Sequence, residues 1–113
     1  MAFDERLANR VRRTLQQDPW ANEGLSEKKM FAGLCFLNRG NMCCGIVGRE
    51  LMLRVGPEQY DHCLSLPDAR EMDFTGKAMK GMVYVSEEGV ANDRDLEQWI
   101  TYALKFMETL PAK

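Results

Sequence analysis

The chain has 113 residues, 45% of them hydrophobic, with 15 basic and 17 acidic side chains and a net charge of −2. That length and apolar content suit one domain with its own core and exclude disorder over most of the chain. The near balance of charge argues against nucleic-acid binding by this domain alone, because such domains carry a basic field or stripe.

Residues 4–17 have Leu7, Val11 and Leu15 on one helical stripe with Ala8 beside them, and Arg6, Arg10 and Arg13 on the opposite side. Asp18-Pro19 ends this helix, since the residue before proline avoids the α region. Residues 20–29 are polar apart from Trp20, Ala21 and Leu25, contain Gly24, and read as a connector. Residues 30–37 form an apolar strand, and Asn38-Arg39-Gly40-Asn41 has turn chemistry. Residues 42–47 are a second strand, Gly48-Arg49 a second turn, and residues 50–55 a third strand. Hairpins joined this tightly make an antiparallel meander.

Two-residue turns at Arg39-Gly40 and Gly48-Arg49 put Leu37 opposite Met42, Cys35 opposite Cys44, and Ile46 opposite Leu51. Alternation then gathers Cys35, Leu37, Met42, Cys44, Ile46, Leu51, Leu53 and Val55 on a core face. The opposite, semi-apolar face carries Phe36, Cys43, Met52 and Arg54. Gly56-Pro57 opens a short helix with Tyr60, Cys63 and Leu64 buried, and Leu66-Pro67 stops it. Residues 71–74 and 82–86 are two more strands around a loop with Gly76 and Gly81, and Glu87-Glu88-Gly89 is a turn. Residues 92–110 are a helix capped by Asn92 and Asp95, with Leu96, Trp99, Ile100, Ala103, Met107 and Leu110 along one face. The expected fold is α+β in the order α-β-β-β-α-β-β-α, a five-stranded sheet with helices packed on it.

The motifs of common catalytic sites are missing from this order. Cys43 and Cys44 should point to opposite faces of a strand, and with Cys35 and Cys63 they match no zinc spacing, so buried apolar thiols are expected. The single histidine, His62, diverges from Cys63 by about 100° on a helix, and no Cys-His dyad follows. The carboxylates form no facing pair, and no GxGxxG, P-loop, HExxH or GxSxG is present. Catalytic, cofactor and metal sites are therefore expected to be none. Arg54 interrupts the apolar run LMLRV beside Phe36 and Met52, a composition common at interfaces. Phe36, Cys43, Met52 and Arg54 make the candidate interaction face.

No apolar run approaches the roughly 20 residues of a membrane span, and the opening MAFDERLANRVRR lacks a signal peptide's apolar region. No membrane contact and a cytoplasmic location with reduced thiols are expected.

The stretch MFAGLCFLNRGNMCCGIVGRELMLRVGPEQY, starting at Met30, resembles the N-terminal domain of the TfoX/Sxy competence regulators. So does MDFTGKAMKGMVYV from Met72, followed by a helix with Trp99 and Ala103. The signals are Met30, Phe31, Gly33 and Leu34, then Gly40, Met42 and Gly45, then LMLRVGPE at residues 51–58 and the Met79, Gly81 pair. The likeness runs from about Lys28 to Leu110, and residues 1–113 are expected to be one such domain, standing alone. It implies a layout similar to secretion-chaperone-like folds. It also implies a bacterial regulator linked to natural transformation, without catalytic residues to carry over. Relatives usually carry a second domain related to helix-hairpin-helix modules, and this chain stops at Lys113.

The leading expectation is a non-enzymatic regulatory or protein-interaction domain, its partner another protein or a second copy. One alternative is a small-ligand binder or low-activity enzyme using a pocket between sheet and helices. Another is a weak DNA-associated regulator acting through the arginines of the first helix.

Overall fold

A computed structural model describes residues 3–30, 33–74 and 77–111. Helix α1 spans Glu5–Gln17, and the Asp4 carboxylate accepts from the N–H groups of Arg6 at 2.9 Å and Leu7 at 3.3 Å. The N–H of Asp4 donates to the Gly48 carbonyl at 2.7 Å, which ties the start of the helix to a sheet turn. Asp18 ends α1 and caps the next helix, α2 at Pro19–Glu23, by accepting from Trp20 N–H and Ala21 N–H. Pro19 sits in the first turn of α2, where no hydrogen bond is asked of its nitrogen.

Six strands follow in one antiparallel sheet: β1 (Leu25–Met30), β2 (Gly33–Asn38), β3 (Asn41–Val47), β4 (Glu50–Arg54), β5 (Ala69–Phe74) and β6 (Lys77–Val85), in the order β1-β2-β3-β4-β6-β5. Helix α3 (Gly56–Ser65) connects β4 to β5, and β6 returns between those two strands. A 3-10 turn at Glu87–Val90 leads into helix α4, Asp93–Met107. The α+β class, the meander and its layer of helices are as the sequence indicates, with six strands where five were expected.

The extra strand is β1, in the stretch read as a connector. It pairs with β2 from Leu25 opposite Asn38 to Met30 opposite Gly33. An edge strand is held through its backbone on one side only, so it needs no apolar alternation, and charges there discourage further pairing. Ser26, Glu27, Lys28 and Lys29 are all exposed. Phe31 and Ala32, and the Gly76 turn, lie outside the described residues.

Both expected two-residue turns are present, with Asn38 opposite Asn41 and Val47 opposite Glu50. Arg39 at φ 52° and Gly40 at φ 84° give the paired positive φ values of a type I′ hairpin turn. The Asn38 amide donates to the Ala21 carbonyl at 3.2 Å, and the Asn41 amide donates to the Pro111 carbonyl at 2.9 Å. The turn is thereby fastened to α2 on one side and to the end of the chain on the other.

One register expectation is corrected. Leu37 faces Met42 and Ile46 faces Leu51, but Phe36 faces Cys44 and Cys35 faces Gly45. Cys43 is the extra residue of a β-bulge, and an extra residue shifts every pairing beyond it by one. The face assignment of β2 inverts as a result. Phe36, Cys43 and Cys44 join Ile46, Leu51, Leu53 and Val55 in the core under the helices. Cys35 lies instead in a second cluster with Met52, Met82 and Tyr84, against which Met42 packs. The main core is closed by Leu7, Val11 and Leu15 of α1, Tyr60 and Cys63 of α3, and Leu96, Trp99, Ile100, Ala103 and Met107 of α4.

Candidate functional site

The bulge divides the four residues of the candidate face. Phe36 and Cys43 are buried beneath the helices, and Met52 is buried in the second cluster. Arg54 alone is half-buried, and its chemistry is available at the surface. Its guanidinium carbon lies 5.3 Å from the ring centroid of Phe106 on α4, within cation–π range.

A backbone device brings Arg54 and Phe106 together. β4 ends at Arg54, and the N–H of Val55 donates to the Gly81 carbonyl at 2.8 Å. The chain then turns into α3 through Gly56 at φ 80°, a value that favours glycine. A Cβ on Gly56 would lie 2.3 Å from Cδ1 of Phe106, so the bare glycine is what lets the ring lie across this corner. Beside it opens a cleft of about 290 Å³ lined by Val55, Pro57, Glu58, Gln59, Lys105, Phe106 and Thr109. An aromatic wall, an aliphatic floor and charges of both signs suit polar-rimmed recognition of another chain. Sequence reading missed this cleft, because Phe106 belongs to a helix far along the chain from Arg54.

The cysteines are free and buried. Burial pushes the thiols of Cys35 and Cys63 up to about 11. Cys44 is raised too, first by its hydrogen bond with Cys43 and then by burial. That contact corrects the expectation that the two point to opposite faces: the bulge turns both into the same core. A nucleophile or metal ligand must be a thiolate, and these environments favour the neutral thiol. Among the described residues, no group of three or more His, Cys, Asp or Glu side chains is placed to hold a metal ion.

His62 is exposed and shares a 3.2 Å hydrogen bond with the hydroxyl of Tyr102, away from any cysteine contact. In the first helix, Arg10 pairs with Asp93 at 3.1 Å, and Arg12 holds the Glu27 carboxylate with two bonds of 2.5 and 2.7 Å. Arg6 and Arg13 are exposed. Two arginines of α1 thus already carry carboxylate partners, which lowers the basic field this helix can offer to phosphate. Among the described residues, no helix is long and apolar enough to cross a membrane.

Comparison with curated proteins finds no match, and comparison with solved structures finds none either. The family described as the TfoX N-terminal domain matches residues 19–107, from the first residue of α2 to the last of α4. That span contains the whole sheet and the Arg54–Phe106 corner, while α1 precedes it. The chain belongs to the TfoX N-terminal domain family.

Proposed function

We propose that this chain is a non-enzymatic regulatory domain that works by binding a protein partner, in the manner of a competence-regulator-like module. The observation that carries the reading is the half-buried Arg54 laid against Phe106, whose ring also lines a mixed apolar and charged cleft. Arginine and aromatic anchors in partly desolvated surroundings dominate the energetics of protein interfaces. Family membership supports a regulatory role. Four free cysteines favour a reducing compartment, and we take the cytoplasm as the place of action.

The test compares Arg54→Glu with the unaltered chain as bait in its native cell extract, alongside thermal unfolding of both. Loss of one co-purifying protein with an unchanged melting temperature supports the reading. Retention of every partner by a correctly folded variant overturns it at this cleft.

A second reading, a small-ligand binder, is favoured by the cleft's volume of about 290 Å³, near the lower end of the roughly 300–1,000 Å³ typical of ligand sites. A thermal shift with a metabolite panel, abolished by Phe106→Ala, would select it over the first.

A further inference from the structure

α3 and α4 run antiparallel along one seam. Gly56 meets Phe106 at one end, His62 meets Tyr102 in the middle, and Leu66 and Pro67 line one cleft with Gln98 and Trp99 at the other. The cleft lined by Phe106 occupies the first end. At the far end lies a second cleft of about 270 Å³, whose walls include Asp68, Asp95, Gln98, Trp99 and Tyr102. The helical rise of 1.5 Å per residue sets the two ends roughly 15 Å apart.

The far cleft has an aromatic floor. The rings of Trp99 and Tyr102 have centroids 5.8 Å apart, and His62 packs edge-on against Tyr102 at 5.7 Å. The Tyr102–His62 hydrogen bond holds this floor in place.

Asp68 and Asp95 line the same cleft, and each residue is held by a separate device. Asp68 has φ 72°, a left-handed conformation that aspartate tolerates better than most residues. Its carbonyl accepts from Ser86 N–H at 2.9 Å, and a Cβ on Gly89 would lie 2.7 Å from its own Cβ. The 3-10 turn therefore closes on Asp68 only because residue 89 has no side chain. Asp95 is anchored through one oxygen, Oδ2, which accepts from the Asn92 amide at 2.9 Å.

The chain segment that carries Asp95 is acidic. Residues 87–98 contain Glu87, Glu88, Asp93, Asp95 and Glu97 against the single base Arg94, more negative charge than the net −2 of the whole chain. Arg49 and Arg10 offset only Glu87 and Asp93.

We infer that the cleft at Asp68, Asp95, Trp99 and Tyr102 receives the cationic side chain of an arginine or lysine presented by a protein partner. Charge complementarity selects this occupant: the Asp68 and Asp95 carboxylates neutralise the cation, and the half-buried Tyr102 ring lies in the same cleft lining. The inference rests on the interaction reading and adds to it a direction. A segment lying along the seam has its basic residue at the Asp68 end, while Glu58 and Lys105 line the cleft at the opposite end.

The experiment uses the full chain with Trp20→Phe, so that Trp99 is its one remaining tryptophan. N-acetyl-arginine amide is titrated against its fluorescence and its indole N–H resonance, with N-acetyl-citrulline amide as the uncharged control of the same shape. A saturable shift is expected with the arginine probe, at least about tenfold weaker with citrulline. It should be lost in Asp68→Asn with Asp95→Asn, substitutions that keep the left-handed turn and the helix cap. Arg54→Glu should leave the response intact, so failure here is separable from failure at Arg54. No saturable response, equal response to citrulline, or survival of the response in the double asparagine variant would each overturn the inference.

Discussion

Gly56→Ala probes the corner on which the Arg54–Phe106 contact depends. An L-residue held near φ 80° in place of glycine costs about 1–2 kcal/mol. The added methyl would also meet Cδ1, Cε1 and Cγ of Phe106 at 2.3, 2.7 and 2.8 Å, all closer than real carbons approach. Overpacking of that kind costs about 1–3 kcal/mol. The single substitution should therefore destabilise the chain by about 3 kcal/mol. Phe106→Ala removes a half-buried ring and should cost roughly 1–2 kcal/mol by itself. Combined, the two should fall short of additivity by at least about 1 kcal/mol, because the second change removes the atoms that the first collides with. Urea unfolding followed by tryptophan fluorescence reads all four corners of this cycle, provided the slope with denaturant is unchanged. A Gly56→Ala variant within about 0.5 kcal/mol of the unaltered chain, or strict additivity, would refute the geometry assigned to this corner.

Other outcomes follow from charge, burial and hydrogen bonding. Cys35 and Cys63 titrate near 11 when folded against 9.0 ordinarily. Their stabilising contribution is complete below the lower value and lost as pH rises through the upper one, so stability should decline between these limits; Cys35→Ala with Cys63→Ala should flatten that decline, as denaturation midpoints would show. Glu27 is held below its ordinary value of 4.5, first by its hydrogen bond with Arg12. The pair's contribution is present above that value and fades as pH falls, and because both side chains are about one third exposed, Arg12→Ala should cost under about 1 kcal/mol at pH 7 and less in high salt. Asn41→Ala leaves the Pro111 carbonyl without its donor and should cost about 1–2 kcal/mol, with faster amide exchange at the end of α4.

Much of the fold was legible in the sequence because periodicity and turn chemistry act locally. The stripes Leu7-Val11-Leu15 and Leu96-Trp99-Ile100-Ala103-Met107 mark helices whose apolar faces close the core. Arg39-Gly40 and Gly48-Arg49 form tight turns as their chemistry requires. What escaped had non-local causes. Strand β1 has no apolar face to advertise, since its order comes from backbone pairing with β2. The bulge at Cys43 is invisible to a period of two, which cannot register one extra residue, and it reassigned Cys35, Phe36 and Cys43 together.

Of the face expected from the sequence, only Arg54 lies near the surface. A charge that breaks an apolar run marks an unusual position, and the structure gives that position a partner in Phe106. The other three members of the expected face are buried, Phe36 and Met52 at 0% exposure and Cys43 at 1%. In the sequence Asp68 reads as an isolated carboxylate and Asp95 as part of a helix start. They share a cleft because α3 and α4 run antiparallel, a tertiary fact with no local signature.

Site-specific photo-crosslinking in the native cell tests most directly whether the seam between α3 and α4 is where this domain meets its partner. A photoreactive residue at Gln59 lies in the cleft lined by Phe106, and one at Gln16, exposed on α1, serves as control. The account expects a discrete adduct from Gln59 that is absent from Gln16 and disappears with Arg54→Glu. The same adducts from both positions, or an adduct from Gln59 that survives Arg54→Glu, would contradict it.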